Sequence, residues 1–179
     1  PFQSSTLVKS VCWAVNGLNL DGRVRQYIEY IQHHHRKRVL IVTSSLASQE
    51  ELFKLFESAG LSDRVYFGSK LELLKFNTQW DLVIIENSTS HEYQMELPFS
   101  FHQEKLAFIR SKTDGYPLLL GSYLPSLFTY QLIRSGLCKH LTKQIPSSIG
   151  HPKIIIRSMN QEITKHGFHL IPYSLQGEI

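Results

Sequence analysis

Five short apolar runs, each ended by a turn or polar residue, constrain this chain more than anything else in it. Residues 11–15 read Val-Cys-Trp-Ala-Val and stop at Asn16-Gly17. Val39-Leu40-Ile41-Val42 runs into Thr43-Ser44-Ser45, and Val65-Tyr66-Phe67 into Gly68-Ser69-Lys70. Asp81-Leu82-Val83-Ile84-Ile85 ends on an acid, Glu86, and Tyr116-Pro117-Leu118-Leu119-Leu120 ends at Gly121-Ser122. Runs of this kind predict strands, and their unbroken apolarity means that both faces are covered. Between them the period is helical. One helix is expected over Arg23 to His34, with Val24, Tyr27, Ile28 and Ile31 on one face. A second is expected to be capped by Ser48-Gln49-Glu50-Glu51, to carry Leu52, Phe53, Leu55 and Phe56, and to stop at Gly60. Leu71 to Phe76 predicts a short helix. His102 to Lys112 predicts one with Leu106, Phe108 and Ile109 as its apolar face, and Pro125 to Ser135 one stopped by Gly136. The alternation places the chain in the α/β class, with a mainly parallel sheet covered by helices. Ligands of such sheets sit beyond the C-terminal strand ends. Gly17, Ser44, Gly68, Glu86 and Gly121 all fall there. From about His140 the pattern weakens, and one further strand is expected at Lys153 to Arg157.

With 179 residues, 42% of them apolar and 19% charged, the chain suits one domain with a sizeable core and is unlike a disordered chain. A net charge of +4 is compatible with nucleic acid without demanding it. Cys12 and Cys138 are far apart in sequence and form no CxxC, so they read as buried thiols of a reducing compartment. The apolar runs are too short to span a membrane, and no charged start followed by an apolar stretch marks a signal peptide. A cytoplasmic location and no membrane partner are therefore expected. A chain beginning at Pro1 reads as cut from something longer. His33-His34-His35-Arg36-Lys37-Arg38 closes the first helix. Neighbours on a helix point about 100° apart, so these histidines read as a solvated helix end favoured by the dipole, and no metal is expected. Metal-dependent hydrolysis by histidines has no supporting H-E-x-x-H spacing.

Gly17-Leu18-Asn19-Leu20-Asp21-Gly22-Arg23-Val24 has the spacing of a phosphate-binding loop with altered chemistry. An intact loop, G-x-x-x-x-G-K-[ST], cradles phosphates with backbone N–H groups, a Lys and a Mg²⁺-binding hydroxyl. Arg23 stands at the Lys position and Val24 at the hydroxyl position, and a valine offers Mg²⁺ no oxygen. Arg is planar and longer than Lys and does not simply replace it. Leu20 and Asp21 add bulk and negative charge.

Three stretches carry a likeness. Gly17 to Tyr27 reads G-L-N-L-D-G-R-V-R-Q-Y. Ile85 to Ala107 reads I-E-N-S-T-S-H-E-Y-Q-M-E-L-P-F-S-F-H-Q-E-K-L-A. Leu120 to Ser126 reads L-G-S-Y-L-P-S. In order and spacing they resemble the first RecA-like motor lobe of the primosomal replication-restart helicase family, PriA (primosomal protein N′). That family has a loop like G-V-T-G-S-G-K-T-E-V-Y, an acid box and tail like V-D-E-E-H-D-S-S-Y-K-Q-E-E-G-P-R-Y-H-A-R-D-V-A, and a third motif like L-G-S-A-T-P-S. Tyr93, Pro98, His102 and Ala107 stay in register with it. Gly68-Ser69-Lys70 is similar to its G-T-R, and His151-Pro152 to Met159 to its P-x-V-x-x-x-D-M. The resemblance covers most of residues 11–160 and implies a RecA-like P-loop fold with three α/β/α layers. Residues 1–140 would be a degenerate first lobe, and residues 141–179 an extension towards a second lobe.

The resemblance also implies roles. Gly17, Asp21, Gly22, Arg23, Val24, Glu86 and Asn87 would be a degenerate nucleotide site. Ser44, Ser45, Gly68, Ser69 and Lys70 would contact DNA, and Gly121, Ser122, Pro125 and Ser126 would be the third motif. The departures bear on activity. In the family's acid box an Asp serves Mg²⁺ and a Glu polarises the attacking water; here the box is Glu86, Asn87, Ser88 and Thr89. Glu86 could still face a metal, but an Asn87 amide is no proton acceptor. Phosphoryl transfer needs the missing charges, so turnover should be nearly abolished and no catalytic residue is expected. The coupling Thr of the third motif is Leu124. The chain is also shorter than the family's between Asp63 and Val65, and nothing resembles its cysteine-rich zinc insertion or its second lobe.

The function expected is thus a catalytically inactive scaffold in replication restart, binding forked or single-stranded DNA or docking primosome or single-strand-binding proteins, and nucleoid-associated where DNA is bound. No cofactor is expected, with ATP and Mg²⁺ entering only if the loop still binds. Two alternatives stand beside it. One is a nucleotide-binding switch without hydrolysis, using Gly17, Gly22, a helix N-terminus and Arg23. The other is a protein-interaction module with no DNA role. At residue level, Arg23 is also readable as a salt bridge to Asp21 or Glu86, Lys70 as an exposed cation after a turn, and His102 as a local cap.

Overall fold

The five strands expected of the apolar runs form, and they run parallel. The computed structural model describes residues 11–75, 79–91, 94–95 and 101–141. These belong to the first of two compact units, Pro1–Ile145; the second, Pro146–Ile179, lies outside the described residues, as does the strand expected at 153–157. In chain order the elements are β1 (Cys12–Val15), α1 (Leu20–His33), β2 (Val39–Val42), α2 (Leu46–Ser58), β3 (Val65–Gly68), a 3₁₀ turn (Lys70–Leu74), β4 (Leu82–Ile85), β5 (Gln94–Met95), β6 (Phe101–His102), α3 (Gln103–Asp114), β7 (Leu118–Gly121), α4 (Leu127–Arg134) and β8 (Cys138–Leu141). Six strands make one sheet in the order β3-β2-β4-β7-β1-β8, and β5 pairs antiparallel with β6 as a separate ribbon.

Strand alternation divides the core in two. Cys12, Ala14, Leu40, Val42, Val83, Ile85, Leu118 and Leu120 pack with Ala107 of α3 and Leu132 of α4. Val15, Val39, Ile41, Leu82, Ile84 and Leu119 pack with Val24, Tyr27 and Ile31 of α1 and Leu52 and Phe56 of α2. The chain crosses the sheet from β1 to β3 with α1 and α2, then returns from β3 through β4 and β7 to β8 with α3 and α4. Right-handed crossovers tie travel direction to sheet face, so the reversal puts the two helix pairs on opposite sides. The fold is a three-layer α/β/α domain of the RecA-like kind.

Several elements differ from expectation for identifiable reasons. Helix α1 begins at Leu20, three residues before Arg23, because the Asn19 side chain accepts the Gly22 N–H at 3.0 Å and caps it there. Helix α2 is capped by Ser45, whose Oγ accepts the Ser48 N–H at 3.2 Å; Ser48 is inside the helix. The short helix after β3 is a 3₁₀ turn over Lys70–Leu74, and Phe76 lies outside the described residues. Helix α3 buries Gln103, Glu104, Ala107 and Ser111, while Ile109 is 61% exposed. Its polar residues go inside because they find partners there: Gln103 Nε2 donates to Lys70 O (3.0 Å), Ser111 Oγ to Phe108 O (2.8 Å), and Glu104 accepts two hydroxyls of the α4 region. His102 precedes α3 but makes no side-chain cap, and its Nδ1 is buried without a partner among the described residues. β8 was not expected at all. Its Cys-Lys-His-Leu has little apolar signal, as an edge strand can. It sets Cys138 directly beside Cys12 in the parallel register. Both are free, buried thiols, and the neighbouring Cys138 thiol, then burial, holds the Cys12 thiol above its ordinary range.

Candidate functional site

The C-terminal strand ends of β1, β4 and β7 are neighbours, so the glycine loop, the acid and the third motif meet. The loop after β1 is fastened on both sides. Gly17 takes a left-handed φ of 76° that favours glycine, and its N–H donates to Tyr123 O at 2.9 Å. Buried Asn16 donates through Nδ2 to Ser122 Oγ (2.6 Å) and to Ser122 O (3.3 Å), and Ser122 Oγ donates to Leu124 O (2.7 Å). Gly22 lies in the first turn of α1, where an added Cβ would sit 3.0 Å from Asn19 Oδ1 and 3.1 Å from Leu18 Cβ. Asp21 is exposed, and Val24, at the position of the Mg²⁺ hydroxyl, is in the core.

Arg23 turns inward from α1 and meets Glu86 just past β4. Its Nε lies 3.0 Å from Glu86 Oε1 and 3.3 Å from Oε2, its Nη2 also donates to Oε1, and its Nη1 donates to Leu18 O at 2.6 Å. The Tyr27 hydroxyl donates to Oε2 at 2.6 Å. Of the two partners the sequence allowed for Arg23, the structure pairs it with Glu86. Both carboxylate oxygens are engaged by donors from one helix, at positions four apart on one face. Burial pulls the Arg23 guanidinium down, but the bonds to Glu86 outweigh it and the net shift is upward. Burial, then the charge of Glu86, pushes the Tyr27 phenol well above its ordinary range. Gly121 makes this packing possible: a Cβ there would overlap the Tyr27 hydroxyl and sit 2.9 Å from Glu86 Oε2. Sequence reasoning missed Tyr27 as a site residue, having assigned it to the apolar face. The available signal was its spacing of four from Arg23.

Beside the cluster is a cleft of ≈ 200 Å³ lined by Leu20, Arg23, Thr43, Ser44, Ser48, Glu86 and Asn87. Asn87 is exposed with a φ of 54°, a left-handed conformation Asn tolerates. The donor set does not fit Mg²⁺–nucleotide as arranged. A magnesium ion needs accessible hard oxygens, and Glu86 accepts Arg23 and Tyr27 on both of its own. A phosphate would need the guanidinium, three of whose five N–H groups already point at Glu86 and Leu18. Asn87 supplies no base. Among the described residues no group of three or more His, Cys, Asp or Glu converges as a metal site.

The other predicted residues are scattered around this rim. Ser45 is the α2 cap, with Ser45 Oγ 2.9 Å from Ser48 Oγ. Gly68 is buried, with Glu72 packed where a Cβ would go. Ser69 is exposed and caps the 3₁₀ turn through Leu71 N (3.3 Å), and Lys70 follows it, half-buried. Gly121 and Ser122 are buried in the packing described above, Pro125 is half-buried, and Ser126 caps α4 through Thr129 N (3.0 Å). Tyr93, Pro98 and 151–159 lie outside the described residues. No helix among the described residues is long and apolar enough to cross a membrane. No protein-family model matches the chain.

Proposed function

We propose that this chain is a PriA-like helicase lobe that no longer turns over nucleotide and serves as a scaffold, for DNA or for protein, in replication restart. The Arg23–Glu86–Tyr27 cluster carries the inactive half of that reading. The cation and the acid that an ATPase would turn towards phosphate and Mg²⁺ are spent on each other, with Gly121 letting the tyrosine close over them. Helicase parentage rests on the order and spacing of the three motifs, and the DNA arm on Ser69 and Lys70 at the rim beyond β3. The test is titration of the chain with a fluorescent ATP analogue, with and without Mg²⁺. No saturable signal up to millimolar nucleotide is expected. Saturation in the micromolar range would overturn the reading, and Arg23→Ala would then show whether the guanidinium holds the phosphate. Forked DNA titrated at rising salt separates the two scaffold arms, since phosphate contacts weaken steeply with salt.

A further inference from the structure

We propose that the outer face of α4, with the loop leading into it, docks an acidic peptide segment that carries apolar anchor side chains. The inference rests on the scaffold reading and deepens it by naming a surface and a partner class. Tyr123, Leu124 and Leu127 are 66%, 67% and 74% exposed, and Tyr130 is 49% exposed. Exposed apolar residues ordinarily scatter singly; a contiguous set marks an interaction surface. Leu127, Tyr130 and Arg134 follow at i, i+3 and i+7 along one side of α4, while Thr129 and Leu132 face the interior. The lead-in is fastened at two carbonyls: Gly17 N–H donates to Tyr123 O and Ser122 Oγ to Leu124 O. The surface is therefore preorganised, which lowers the ordering cost of binding.

Charge selects the occupant. Among the described residues from Gly115 to Leu141 there is no Asp or Glu. Arg134 lies on the stripe, and Lys105 approaches α4, its Nζ 5.9 Å from the Phe128 ring centroid. The described carboxylate that contacts α4 is engaged: Glu104 is buried and accepts Ser126 and Thr129. A second copy of the chain would set like charge against like. Nucleic acid would match the charge and could stack on the tyrosines, but it offers Leu124 and Leu127 no apolar side chains. An acidic segment with anchors at helical spacing matches both.

The test uses the full chain and fluorescence anisotropy with three labelled peptides of equal length, and a labelled oligo-dT. The first peptide sets Leu and Phe at i, i+3, i+4 and i+7 among glutamates. The second replaces the glutamates by lysines, and the third replaces the apolar positions by serines. The first should bind at least about tenfold more tightly than the other probes and weaken as salt rises. Leu127→Asp should weaken it by at least about tenfold with an unchanged thermal midpoint, because an acid is tolerated in the first turn of a helix. Arg134→Glu should weaken it as well. No preference for the first peptide, or tighter binding of oligo-dT, overturns the inference. So does a lower thermal midpoint in Leu127→Asp, which would mean that the stripe is covered within the chain itself. The nucleotide titration tests the pocket and this one the surface, so either can fail alone.

Discussion

Gly121 is the residue on which the site closes. Its missing Cβ is the space occupied by the Tyr27 hydroxyl, so Gly121→Ala should destabilise the domain by about 1–3 kcal/mol through overpacking, read from urea unfolding. Tyr27→Phe in the same background should recover part of that loss, because the overlapping atom is the one removed. The two changes must then be non-additive; simple additivity would place the strain elsewhere. Tyr27 also gives the domain an alkaline limit. Its ordinary pKa is 10.0 and the folded value is raised. Its contribution is fully present below pH 10 and is lost as pH rises towards the folded value, since the unfolded chain then binds fewer protons than the folded one. Cys12 and Tyr116 are shifted in the same direction and steepen the loss. Tyr27→Phe should flatten the fall of unfolding free energy above about pH 10 and leave its slope at neutral pH unchanged, as measured by denaturant melts across pH.

Caps carry the elements, and two serines at helix starts do unequal work. Ser45 satisfies one backbone N–H of α2, and its replacement by Ala should cost about 1 kcal/mol. Ser126 caps α4 and also donates to the buried Glu104 carboxylate. Ser126→Ala should therefore cost more, by about 1–3 kcal/mol for the polar group left short of a donor. Equal losses in chemical denaturation would show that the Glu104 bond contributes nothing. These caps also show where legibility stopped. The five strands were readable because Val, Ile and Leu runs buried on both faces leave little ambiguity. The starts of α1 and α2 were each placed a few residues late because a second local signal competed: the glycine spacing for Asn19, and Glu50-Glu51 for Ser45. The inner face of α3 was illegible in a stronger sense, since Gln103 and Glu104 are buried by partners that the sequence of α3 does not contain.

At the scale of the whole molecule, the sheet order decides what the site is. Placing β7 between β4 and β1 brings Gly121 against Glu86 and fastens Asn16 to Ser122, residues 106 positions apart. The rim location of Gly17, Glu86 and Gly121 was legible from their place at strand ends. Their mutual packing was not, because it depends on which strands are neighbours. A ligand that binds only the folded state raises its stability in proportion to the logarithm of its concentration. Millimolar ATP with Mg²⁺ should accordingly leave the thermal midpoint where it was, whereas a clear rise would show that the Arg23–Glu86 pair gives way to nucleotide. The guanidinium–carboxylate pair has one further property. Any anion arriving from solution competes with Glu86, a rival tethered to the same chain that no dilution weakens. The partner of this guanidinium is thus written into the polypeptide itself.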